Sequence, residues 1–222
     1  MALTVAVPAV TASGSIVTAE FLPANENNNY GVGGAFFAAQ TFPVSQSGVI
    51  DEVSILLLPV DDAADRPDSI TISIADTVAG VPNAILGSFT VDNPETPVDA
   101  SFRPPGALYT VDFSGQAVSL LAGETYAWTV SGTGNTISVR GDFPGTYADG
   151  QGFESPDNGV SWFTGPIGDS GFVITVVPEP SSLIAFGLGG LLIARPRRSL
   201  TNPDDSVLAS AAESTSPTGA AA

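Results

Sequence analysis

Apolar and polar residues alternate along much of the chain between residues 14 and 177. In residues 69–75, isoleucine occupies every second position, with serine or threonine between. Residues 125–130 repeat the pattern with aromatic side chains. A period of two places successive side chains on opposite faces of a β-strand. We therefore predict two strands whose interior faces carry Ile70, Ile72, Ile74, Tyr126 and Trp128.

Two further apolar runs, at residues 49–58 and 172–176, are also typical of strands. In the first, the predicted interior face is Val53, Ile55 and Leu57, and the predicted polar face is Glu52 and Ser54. Turn-forming clusters separate the runs at residues 47–48, 61–68, 79–83, 122–124 and 157–159. No window before residue 181 has sustained helical periodicity. This pattern predicts an all-β fold over residues 14–177, an antiparallel β-sandwich or jelly roll.

The chain changes character after residue 177. Two prolines make an extended break there, because each biases its predecessor away from the helical region. Residues 181–194 follow without a charged side chain and predict a single C-terminal apolar helix. Its length would be about 21 Å, against roughly 30 Å for the hydrocarbon core of a bilayer. By length alone, this helix could instead be buried in the protein. The arginines that follow it favour membrane association, with the arginine end of the helix on the cytoplasmic side.

The order of these features resembles the PEP-CTERM protein-sorting domain of bacteria. The matching residues over 178–198 are Pro178, Glu179 and Pro180, the apolar stretch 181–194, and the cluster Arg195, Arg197 and Arg198. The resemblance implies an exosortase-like sorting enzyme as a partner. It also implies an inner-membrane-anchored intermediate, then a cell-surface or extracellular location, often linked to exopolysaccharide or biofilm matrix. That family usually ends soon after the arginines, whereas this chain continues through residues 199–222, a tail whose composition predicts disorder.

The body of the chain resembles the exported β-sandwich domains often attached to such anchors. The matching segments are residues 40–42, 72–74 with 80–82, 121–126, and 157–162 before Phe172. This second resemblance implies a fold and no particular activity.

Residues 1–13 are predicted to be either a signal-peptide remnant, because the run ends in small residues, or the first strand of the domain.

Composition narrows the function classes. The chain has 23 acidic against 6 basic residues, a net charge of −17, so nucleic acid is an improbable partner. It contains no histidine, cysteine or lysine. This excludes the Ser-His-Asp and Cys-His nucleophile systems, thiolate or imidazole zinc sites, Schiff-base lysines and disulfides. We therefore predict a protein that is not an enzyme and has no cofactor.

A few residues remain as candidates for chemistry. Asp142, Asp149, Glu154 and Asp157 are close enough in sequence to form a glycosidase carboxylate pair, but their Gly, Pro, Ser and Asn neighbours favour a solvated loop. Calcium is a weak alternative at Asp149 and Asp157, or at Asp61, Asp62, Asp65 and Asp68. Tyr147, Phe153 and Trp162 are candidates for stacking on sugar rings, with burial in the core as the alternative.

Two function classes follow. The first is an exported cell-surface or extracellular-matrix structural or interaction protein, sorted through its C-terminal segment. The alternative is a carbohydrate-binding module that recognises polysaccharide and carries the same anchor.

Overall fold

The alternating runs form antiparallel strands arranged in two sheets. The computed structural model describes residues 14–24, 26–58, 66–94, 106–164 and 168–179. The strands are β1 (Ile16–Phe21), β2 (Asn28–Val32), β3 (Phe37–Pro43), β4 (Gly48–Leu57), β5 (Pro67–Val78), β6 (Val81–Asp92), β7 (Ala107–Asp112), β8 (Ser119–Leu120), β9 (Thr125–Gly134), β10 (Ile137–Asp142), β11 (Gly152–Ser155), β12 (Asp169–Ser170) and β13 (Phe172–Val177). The predictions for residues 1–13, 61–65, 181–194 and 195–222, and that for Pro180, fall outside the described residues.

The first sheet has eight strands and the second has five. The first follows the order β1-β13-β4-β10-β12, with β2 beside β10 and with β7 and β8 beside β4. The second follows β11-β3-β9-β5-β6. Helical structure in the described residues is limited to one 3-10 turn, Ser114–Gln116. The predicted all-β class is confirmed. Among the same residues, no helix is long and apolar enough to cross a bilayer.

The core consists of side chains from both sheets. Phe172 of β13 lies 5.6 Å from Phe42 of β3 and 6.3 Å from Trp128 of β9, measured between ring centroids. The predicted interior residues of β5 and β9 are all buried, which confirms that prediction. Their burial stabilises the fold, because removal of apolar surface from water drives folding.

Strand β4 follows its predicted pattern on one face and departs from it on the other. Val53, Ile55 and Leu57 are buried as predicted. The predicted polar position Ser54 is also buried, which sequence alternation does not reveal. Its hydroxyl oxygen lies 2.7 Å from that of Thr110 on β7, so the buried polar group has a hydrogen-bond partner.

A bulge in β4 explains a second departure from strict alternation. Ile50 pairs with Val176 and Glu52 pairs with Thr175, so Asp51 is an extra residue in the ladder. The extra residue lets Ile50 and Val53, three positions apart, both join the core.

The β5–β6 connection is shorter than the sequence predicts. The turn consists of Ala79 and Gly80, both with positive φ, 52° and 77°. Two left-handed residues match the twist of a two-residue hairpin. Asn83, predicted to lie in the turn, is instead part of β6, and Asp68, predicted in the preceding turn, is part of β5. Long paired strands override the local turn preference of these two polar residues.

Candidate functional site

The outer face of the five-stranded sheet carries rows of hydroxyl groups. Because alternate isoleucines of β5 point into the core, the serines and threonines between them point outward. Their hydroxyls pair with those of the neighbouring strands: Ser69 with Thr133 at 2.8 Å, Thr71 with Thr90 at 2.8 Å and Ser73 with Ser88 at 2.9 Å. The result is a series of paired hydroxyls that crosses β9, β5 and β6.

A groove of about 190 Å³ lies on this face. Its hydroxyl-bearing residues are Thr71, Ser73, Thr129 and Ser131, all on β5 and β9. Two aromatic residues line it, Phe37 on β3 and Trp162 in the loop after β11. Two amides complete its polar lining, Asn83 and Asn158, and no lining residue is charged. Aromatic, hydroxyl and amide groups thus share one concave site.

Hydrogen bonds within the loop after β11 hold its shape. Asp157 Oδ1 accepts from the Ser155 hydroxyl and from the Ser161 amide, both at 2.8 Å. The Gly159 amide donates to Ser155 Oγ at 2.8 Å. Hydrogen bonds to its carboxylate hold the pKa of Asp157 below its usual range, and the bond from the Ser161 backbone amide contributes most to this shift. The carboxylate of this calcium candidate therefore serves as an acceptor that orders the loop.

The ordered loop brings Trp162 against the sheet. The backbone amide of Asn158 donates to the backbone carbonyl of Ala35 at 2.9 Å. Gly159 has φ 79°, and a Cβ built on it would lie 3.3 Å from Phe37 Cδ2 and 3.6 Å from Trp162 Cζ2. The loop backbone therefore packs closely against both aromatic side chains. Trp162 remains half-buried at the groove, in contrast to the fully buried Trp128.

The three aromatic candidates for sugar stacking do not meet. Tyr147 lies 5.1 Å from Phe21 and 5.6 Å from Phe172 between ring centroids, and burial raises its pKa to about 12. Phe153 is only 3% exposed. The rings of Tyr147 and Phe153 pack against other side chains of the protein, whereas Trp162 lines the groove. No sequence pattern predicts that Phe37 lines the groove, because Phe37 and Trp162 are 125 positions apart along the chain.

The acidic candidates are also separated. Asp142 pairs across strands with Asp169, a residue that the sequence pattern did not single out. Both are 5% exposed. Asp149 is exposed and Glu154 half-buried. Among the described residues, no group of three or more carboxylates could hold a metal ion.

The two buried carboxylates differ in their hydrogen bonding. Asp169 accepts from the Tyr147 amide at 2.9 Å and from the Gln40 side chain at 3.3 Å. Asp142 Oδ2 accepts from the Thr146 hydroxyl at 2.6 Å, while its Oδ1 has no partner among the described residues. Burial raises the pKa of Asp169, and the neighbouring negative charge of Asp142 raises it further.

Removing the Asp142 charge is expected to stabilise the protein at neutral pH. Asp169 has a higher pKa in the folded than in the unfolded protein. Its contribution to stability is therefore complete at pH values below its unfolded-state pKa of about 3.9, and it is lost as the pH rises through its folded-state pKa. Asp142→Asn removes part of the cause of this loss. We expect its free energy of unfolding to exceed that of wild type at pH 7, with the difference shrinking toward pH 3. Urea unfolding across this pH range measures it.

Asp149→Asn is the matched control, because it removes one negative charge from the neighbouring exposed loop. We expect it to change stability by less than about 0.5 kcal/mol at either pH. A gain for Asp142→Asn that is equal at pH 3 and pH 7 would contradict the explanation by charge repulsion.

A second, open groove of about 470 Å³ lies beside the β5–β6 hairpin. Its lining includes the carboxylates of Asp76 and Glu124. Asp76 Oδ1 already accepts from the Ala84 amide at 2.6 Å and from the Asn83 side chain at 3.1 Å. This carboxylate therefore serves the hairpin, and the Trp162 groove is the better candidate for ligand binding. Comparison of the chain with protein-family models and with curated proteins finds no match.

Proposed function

We propose that this chain is an exported interaction protein of the cell surface or extracellular matrix, sorted by its C-terminal segment with an exosortase-like enzyme as partner. The observation that supports this most directly is where the folded sheet ends. Strand β13 ends at Val177, and the Pro178-Glu179-Pro180 motif begins at the next residue. The sorting segment thus follows the sandwich without an intervening linker.

Accessibility of Pro178 and Glu179, the described residues of the motif, supports the proposal. Glu179 is exposed, and Pro178 is half-buried. The Glu179 carboxylate accepts a long, exposed hydrogen bond of 3.5 Å from the Ser119 hydroxyl, which is easily broken. The acidic domain itself has no electrostatic reason to remain at an anionic bilayer. Retention is therefore assigned to the apolar stretch and its arginines.

Reversing the charge of the arginine cluster is expected to reduce membrane retention. Arg195→Glu, Arg197→Glu and Arg198→Glu together delete the positive-inside signal beside the apolar stretch. We expect most of the triple variant to leave the membrane fraction, as measured by fractionation and immunoblotting. The matched control replaces the same three residues with lysine, which keeps the charge and should keep the protein at the membrane. Equal membrane association of the glutamate and lysine variants would refute the role of the cluster.

The second candidate function is carbohydrate binding with the same anchor. The observation that favours it is the groove at Trp162, where an aromatic side chain lies beside hydroxyl and amide groups. Sugar rings present apolar C–H faces and hydroxyl edges, and this combination of groups complements both. A pull-down on insoluble polysaccharide, with wild type and Trp162→Ala compared, tests it: the expected result is retention of wild type alone.

A further inference from the structure

We propose that the Trp162 groove binds one ring of a neutral hexopyranose polysaccharide. This inference rests on the carbohydrate-binding candidate above and specifies the class of its ligand. It is carried by three properties of the groove: its aromatic wall, its hydroxyl and amide lining, and its lack of charge.

The aromatic wall supplies the stacking surface. Trp162 is half-buried and lines the groove, so part of its indole is held by the protein and part faces the groove. The Gly159 backbone lies against the indole, since a Cβ built on Gly159 would be 3.6 Å from Trp162 Cζ2. A rigid aromatic side chain costs little conformational entropy when a ligand stacks on it. The apolar face of a pyranose ring is the part of the ligand that would cover Trp162.

The sheet supplies the polar contacts. Thr129 and Ser73 are buried at 5% and 6% exposure, and Thr71 and Ser131 are half-buried beside them. Each hydroxyl can both donate and accept, as each sugar hydroxyl does. Their strands hold them in fixed positions, so a ring bound here replaces water without reorganising the site.

The lack of charge selects a neutral ligand. The groove lining contains neither an arginine nor a carboxylate, while the whole chain carries −17. A uronate or sulfated sugar would bring its charge into a negative field and lose hydration without gaining an ionic partner. A neutral ring has only hydroxyls to satisfy, and the lining offers partners for them.

The size of the groove sets the number of rings. A volume of about 190 Å³ is smaller than the roughly 300–1,000 Å³ typical of drug-sized sites. We therefore assign one ring to the groove. Beyond Thr71, which lines the groove, the next hydroxyl pair along β5 is Ser69 with Thr133, and it would lie beneath an adjacent ring.

The test uses the full chain in detergent and three soluble probes: a β-1,4-linked glucose hexamer, an α-1,4-linked glucose hexamer and an oligogalacturonate. Calorimetry is expected to give a Kd on the order of 1 mM or tighter for a neutral hexamer, and no binding of the oligogalacturonate. The same neutral probe should protect Trp162 from acrylamide quenching, since Trp128 is fully buried and already shielded.

Three variants locate the binding. Trp162→Ala is expected to weaken neutral-hexamer binding by at least about tenfold, and Thr129→Val by about fivefold through loss of one hydroxyl. Phe163→Ala is the aromatic control: it is the next residue, 52% exposed, and should bind as wild type does. Circular dichroism checks that each variant is folded. If Trp162→Ala does not fold, Thr129→Val still tests the site.

Each other outcome overturns a definite part of the proposal. If Trp162→Ala and Thr129→Val both bind the neutral hexamer as wild type does, the site lies elsewhere on the protein, and the chain is still a carbohydrate-binding protein. Binding of the oligogalacturonate alone overturns the assignment of a neutral ligand. Binding of none of the probes, nor of insoluble polysaccharide in the pull-down, overturns the carbohydrate candidate itself, while the sorting proposal is judged separately by fractionation.

Discussion

Phe172→Ala is expected to lower the free energy of unfolding by about 3–5 kcal/mol. Phe172 of the eight-stranded sheet is fully buried, and its ring contacts aromatic side chains of the five-stranded sheet and of the loop after β10. Removing the ring loses its burial and leaves a cavity between the sheets, because the close-packed surroundings relax only in part. For a domain of this size we expect the melting temperature to fall by roughly 6–20 °C. Thermal and urea unfolding followed by circular dichroism measure both quantities.

Phe163→Ala is the control for this prediction. Phe163 is 52% exposed, and its pairing with Glu154 uses backbone atoms that alanine retains. We expect a change in stability of less than about 0.5 kcal/mol. If the two variants unfold at the same urea concentration, Phe172 does not join the two sheets as the ring geometry indicates.

Removal of residues 178–222 is expected to move the protein from the membrane fraction to the soluble fraction. The truncated chain still ends with β13 complete, and β13 pairs with both β1 and β4. Its fold should therefore persist, with a melting temperature within a few degrees of the full chain. Expression of both chains with the same export signal, followed by fractionation, measures the redistribution.

A shorter truncation provides the control. Removal of residues 199–222 keeps the Pro-Glu-Pro motif, the apolar stretch and the arginine cluster, so this variant should remain with the membrane. Equal membrane association of the full chain and of the chain without residues 178–222 would show that the sandwich itself is retained, and the sorting proposal would fail.

Local patterning predicts the faces of the clearest strands because it depends only on the geometry of a single strand. The isoleucines of β5 and the aromatic residues of β9 lie in the core as predicted, since a period of two must place them on one face. The same rule is incomplete at β4, where Asp51 forms a bulge against β13 and the buried Ser54 has its hydrogen-bond partner, Thr110, on β7. Bulges and cross-strand partners depend on pairing, which a single strand does not encode.

The candidate site depends more heavily on distant parts of the chain. The sequence pattern indicates Trp162 but not Phe37, although both line one groove. Sequence proximity groups Asp142 with Asp149 and Asp157, yet Asp142 pairs with Asp169. It also groups Tyr147 with Trp162, yet Tyr147 packs against Phe21 and Phe172. Proximity in sequence is a poor guide in antiparallel sheets, where contacts join distant strands.

The all-β class, the interior faces of β5 and β9, and the lack of histidine, cysteine and lysine side chains can all be read from residue types and a short-range period. Which strands are neighbours, and therefore which side chains share a site, is visible only in the folded chain. The hydroxyl rows, the buried Asp142–Asp169 pair and the groove at Trp162 each join residues from different strands or loops. Their proximity results from the register of pairing and from the packing of two sheets around one apolar core, which are properties of the whole chain.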